Sequence, residues 1–119
     1  MPLAKLKSER FSLEDLRPVV NGLVEHIVAV STPETIYLIG SAARGEFTAY
    51  SDLDFVIVYP SERELARARE SLHLARPHRN VAVDFISLDR RRFDEMSDVG
   101  GIAHEAKHQG VILYKGVQQ

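Results

Sequence analysis

The chain has 119 residues, of which 45% are hydrophobic and 27% charged, with a formal net charge of −2 and no cysteine. Those values describe one globular domain, residues 1–119, with a modest core. They exclude a disordered chain, a disulfide scaffold, thiolate metal sites and the basic excess of a general polyanion binder, so no direct nucleic-acid binding is expected. The first residues lack the apolar core of a signal peptide, and no apolar run approaches the ~18 residues of a membrane span. A cytoplasmic protein without membrane attachment is the expectation.

Ser12 followed by Asp15 has the form of a capping box, with Asp in place of the usual Glu. Leu13, Leu16, Val20, Leu23 and Ile27 then recur at helical spacing, which predicts an amphipathic helix ending before Ser31-Thr32-Pro33. Pro18 lies near enough to the start to kink this helix without abolishing it. Thr35-Ile-Tyr-Leu-Ile-Gly40 reads as a short buried strand, Ser41–Glu46 as a short helix, and Glu46–Ser51 as a loop. A second strand covers Leu53–Tyr59 and stops at Pro60. Ser61 and Glu64 form a second capping box, continued by Leu65, Ala68 and Leu72. Asn80–Ser87 is a third strand, Asp89–Met96 and Ile102–Gln109 are short helices, and Val111–Tyr114 is a last strand after Gly110. The alternation predicts an α/β or α+β domain.

The chemistry concentrates at the mouth of the second strand. Residues two apart on a strand point the same way, ~6–7 Å apart at ~3.3 Å rise each, so Asp52 and Asp54 form a like-charged pair. A divalent cation with carboxylate ligands resolves that repulsion. Asp84 adds a third acid. Val81, Val83 and Phe85 take one face of their strand, and Asp84 takes the other with Ala82 and Ile86. If the two strands are neighbours, three carboxylates converge. Asp is depleted in strands, so three in one small chain call for a cause beyond folding.

Gly40-Ser41 closes the first strand and opens a helix, where free backbone N–H groups, the Ser41 hydroxyl and the small glycine suit a phosphate. Arg44, one turn on, is placed to pair with phosphate oxygens. Gly-Ser alone is an ordinary helix start; its weight comes from the acid pair close behind it. Together these parts describe nucleotidyl transfer assisted by two Mg²⁺ ions.

Gly40-Ser41, ten residues, then Asp52-Leu53-Asp54, with a third acid at Asp84, resembles the DNA polymerase β-like nucleotidyltransferase superfamily. The run from Gly40 to Val58 and the closing Gly110–Tyr114 are similar to the stand-alone minimal nucleotidyltransferases of prokaryotes. The resemblance extends from about Thr35 to Tyr114. It implies a small mixed β-sheet flanked by helices, as in the polymerase β palm. It also implies metal ligation by Asp52, Asp54 and Asp84, and a nucleoside triphosphate held at Gly40 and Ser41. Members of that family commonly act as antitoxins that use ATP to adenylylate a tyrosine on a partner RNase toxin of the helical HEPN class. The chain has no room for the second domain that holds an acceptor in larger relatives, so a partner protein or another subunit is expected to complete the pocket. Two other readings stay open: a nucleotidyltransferase for a small hydroxylated molecule such as an aminoglycoside, acting as a homo-oligomer, and a non-catalytic antitoxin that neutralises by binding.

His104-Glu105-Ala106-Lys107-His108 matches the H-E-x-x-H zinc-protease motif. No His, Asp or Glu follows His108 to serve as third ligand, so a solvated helix face is the better reading. His26 reads as a boundary residue, His73 and His78 as parts of a basic surface turn, and Arg90-Arg91-Arg92 as solvated surface or, alternatively, as a positive run that meets an acidic partner or the nucleotide's phosphates.

Overall fold

A computed structural model describes residues 9–73 and 81–116. The turn around His78, the side chain of His73 and the expected start of the third strand at Asn80 lie outside the described residues. The elements are α1 (Leu13–Val30), β1 (Thr35–Ile39), α2 (Gly40–Ala43), β2 (Leu53–Tyr59), α3 (Glu62–His73), β3 (Val83–Asp89), α4 (Arg90–Ser97), α5 (Gly101–Gln109) and β4 (Val111–Lys115).

The Ser12–Asp15 capping box forms in both directions: Asp15 N–H donates to Ser12 Oγ at 3.1 Å, and Ser12 N–H donates to Asp15 Oδ2 at 2.9 Å. Asp therefore serves where Glu is usual. Pro18 lies on the exposed side of α1, and the helix continues through it for three more turns. The second capping box is only half made. Glu64 N–H donates to Ser61 Oγ at 3.3 Å, while the Glu64 carboxylate accepts instead from the Thr32 hydroxyl.

The four strands lie in the order β3-β2-β1-β4. β1 pairs antiparallel with β2 and β4, and β2 pairs parallel with β3 through the α3 crossover. This is the expected mixed sheet flanked by helices. Alternation along the strands gives each face its own core. Leu53, Phe55, Ile57 and Tyr59 meet Leu16, Val20, Leu23 and Ile27 of α1, with Ala68 and Leu72 of α3. Val56, Val58 and Ile39 face the other way, onto Phe93 of α4 and Ala103 and Ala106 of α5. The two alanines carry little side chain, which lets α5 lie close against the sheet.

β3 runs Val83–Asp89, displaced toward the C-terminus from the expected Asn80–Ser87. Its bounds follow the ladder with β2, which starts at Leu53↔Val83 and ends at Tyr59↔Asp89. The sequence pattern that suggests an end at Ser87 does not register that pairing. Asp89 is the N-cap of α4, accepting from Arg92 N–H at 2.7 Å. Among the described residues, no helix is long and apolar enough to cross a membrane.

Candidate active site

Three strands bring the site together. In the antiparallel pair Ile39 stands opposite Asp54, and in the parallel pair Asp54 stands opposite Asp84. Gly40 follows Ile39 directly, so the Gly-Ser corner and two of the three acids share one end of the sheet. Asp54 and Val56 take one side of β2, and Asp84 and Ile86 the same side of β3, the side covered by α4 and α5. Asp52 precedes β2 and is exposed, as is Asp84; Asp54 is half-buried.

The corner at Gly40 admits no side chain. Its φ is +76°, a left-handed conformation that L-residues rarely adopt, and a Cβ there would lie 2.9 Å from Asp54 Oδ2. Glycine therefore brings the backbone against a carboxylate. Helix α2 is a single turn, so its dipole is small, and the donors that matter at this corner are individual groups. Ser41 is half-buried at its second position, and Arg44 caps its end.

Burial raises the pKa of Asp54 above its ordinary value. The charges of Asp84, Asp52 and Glu105, and a hydrogen bond with Asp84, push it further the same way. Asp54 thus feels both acids that the sequence grouped with it, and one more that it did not. Among the described residues, no group of three or more His, Asp or Glu side chains is drawn together closely enough to enclose an ion. The donor chemistry nevertheless fits a hard cation. Neighbouring carboxylates whose like charges repel supply the oxygen ligands that such an ion takes, and its charge relieves the repulsion.

Glu105 is the residue that sequence reasoning missed. Its Oε2 accepts from Gly40 N–H at 3.1 Å and lies 3.7 Å from an Arg44 guanidinium nitrogen. Arg44 also pairs with Glu46, Nε to Oε1 at 3.0 Å. The signal is the H-E-x-x-H match, whose glutamate and histidines serve different places. His104 Nδ1 donates to the Ser97 carbonyl at 2.9 Å, and its ring lies 4.3 Å from that of His108. The pair therefore packs at the α4–α5 corner, and only the glutamate between them reaches the acid cluster.

A crystal structure of a provisionally named nucleotidyltransferase from Sulfolobus solfataricus resembles this chain with a TM-score of 0.57 and 24% identity, covering 96% of this chain and 93% of that one. That likeness is one of fold. No curated protein matches the chain. A family model described as a nucleotidyltransferase domain matches residues 21–106, most of the chain and every residue of the cluster just described. An acid pair at a strand mouth, a third acid in register beside it and a glycine corner beneath are thus carried by a chain that belongs to the nucleotidyltransferase domain family.

Proposed function

We propose that this protein transfers AMP from ATP to a hydroxyl group on a partner protein, a tyrosine of a HEPN-class RNase toxin, with loss of the hydroxyl proton and release of pyrophosphate, and so acts as its antitoxin. The observation that carries the transfer chemistry is the register of Asp54 opposite Asp84, with Gly40 packed against Asp54. The tyrosine, the toxin and the preference for ATP are supported by the resemblance of the Gly40–Val58 run to minimal nucleotidyltransferases.

In this reading Asp52, Asp54 and Asp84 hold divalent metal, two Mg²⁺ ions. When bound, the metal neutralises charge on the triphosphate and lowers the pKa of the attacking hydroxyl. Gly40 and Ser41 supply N–H and O–H donors to the phosphate oxygens, and Arg44 adds a positive charge within one turn. The half-burial of Asp54 weakens screening by solvent, so its own charge acts more strongly than it would in open water. The exposed side of Asp52 and Asp84 leaves room for an acceptor carried by another molecule.

The test is labelled ATP with Mg²⁺, this protein and the product of the adjacent gene. Label on a tyrosine of that partner, abolished by Asp52→Asn and by Asp84→Asn, is the expected result. Label found instead on a small hydroxylated compound would replace the acceptor. Neutralisation of the partner by Asp52→Asn at wild-type strength, without label, would remove the enzymatic reading.

A further inference from the structure

The groups assigned to the triphosphate already have an anion on them. Glu105 reaches from α5 to the Gly40 N–H at 3.1 Å and to within 3.7 Å of the Arg44 guanidinium. A carboxylate on a backbone N–H with a guanidinium beside it reproduces, with fewer oxygens, what a phosphate makes at the same donors. The same carboxylate also adds its charge to those of Asp84 and Asp52 around Asp54. No zinc motif is needed to explain an acid at this position, since neither neighbouring histidine reaches the site.

We propose that Glu105 is an internal competitor for the nucleotide, occupying the donors of Gly40 and Arg44 until a triphosphate displaces it. The inference rests on the nucleotidyl-transfer reading above and concerns what controls access to that site. Three features make the contact displaceable. The Glu105 side chain is 33% exposed, so it has solvent to swing into. Arg44 is 50% exposed and keeps a second partner in Glu46, so it is not left unpaired during the exchange. Leaving the corner also takes Glu105 away from Asp54, relieving a repulsion that the resting arrangement maintains. Discrimination follows from this exchange. A polyphosphate with several charged oxygens outcompetes one carboxylate, whereas a monoanion of similar size meets it on equal terms.

The experiment is calorimetric titration of wild type, Glu105→Gln and Glu105→Ala with ATP in Mg²⁺ and, separately, with inorganic tripolyphosphate in Mg²⁺. Each variant's melting temperature is measured alongside. Both variants are expected to bind both probes more tightly, by about tenfold, the factor set by releasing one charge-assisted hydrogen bond. Equal or weaker binding by both variants, where wild type binds, overturns the proposal and makes Glu105 a brace for the Gly40 corner. A brace would also lower the melting temperature and weaken binding together, so tighter binding despite an unchanged or lower melting temperature separates the two roles. If neither wild type nor either variant binds ATP or tripolyphosphate, the nucleotidyl-transfer reading fails and this proposal falls with it. If both variants bind while wild type does not, the competitor is confirmed in its strongest form.

Discussion

Gly40 and Asp54 are in contact where any larger residue would strike the carboxylate, so the Gly40 corner and Asp54 form one packed unit. Gly40→Ala must accept a left-handed backbone and push Asp54 aside. The expected cost is about 1–3 kcal/mol of stability, read from denaturant unfolding, with transfer activity lost. An alanine variant with wild-type activity would mean that Asp54 need not hold its place.

Asp54 gives a stability prediction with a defined sign. Its folded-state pKa lies above the unfolded value near 3.8, so the folded protein holds this proton more tightly. The associated stability is fully present below the unfolded pKa and is lost as pH rises through the folded one. Asp54→Asn, which carries no charge, is therefore expected to melt higher than wild type at pH 7. The advantage should disappear as pH falls below about 4, near the ordinary carboxylate value. Melting curves across that range check both the direction and the window.

Divalent cation should reverse the same effect in wild type. Mg²⁺ or Mn²⁺ at a hundredfold excess over its Kd is expected to add about 2.7 kcal/mol of stability, and chelator to remove it. Asp54→Asn and Asp84→Asn should lose most of that response. A cation response that survives both substitutions would place the ion elsewhere.

Arg90 holds the opposite end of the sheet. It pairs with Glu34 and with Asp94, and its guanidinium carbon lies 5.4 Å from the centroid of Phe93. Burial works against its charge, but the hydrogen bonds with Asp94 and Glu34 outweigh burial and raise its pKa. Arg90→Ala is expected to cost about 1–3 kcal/mol. Nucleotide transfer measured below the lowered melting temperature should stay at the wild-type rate.

Strand and helix positions were legible wherever the period was clean. β2 is legible to the residue, because Leu53–Tyr59 is apolar at every position but Asp54 and is closed by a proline. α1 is legible from its apolar stripe and its cap. For β3 the sequence pattern points two to three residues early, since its limits come from the partner strand and not from its own hydrophobicity. Asp52, Asp54 and Asp84 stood out because charge at strand positions is unusual. The convergence of Asp54 and Asp84 depended on β2 and β3 being neighbours, which the sequence supplied only as a condition. Glu105 was hidden for another reason. It lies 65 residues from Gly40 in sequence, and only the docking of α5 by Ala103 and Ala106 aims it at that corner. A polar residue flanking two small buried ones gives no hint of what lies across the gap.

Distance keeps the acids at the mouth of the sheet apart from the Arg90 ion pairs at its other end. Asp84 and Asp89 are the first and last acids of one strand, five residues apart, roughly 17 Å along its axis. In physiological salt the screening length is about 8 Å, so the positive charge at one end does little to neutralise the negative charge at the other. The strand acts as an insulator: electrostatic strain can accumulate at the mouth while the opposite rim stays balanced, and substitutions at the rim can be screened for robustness without retuning the chemistry.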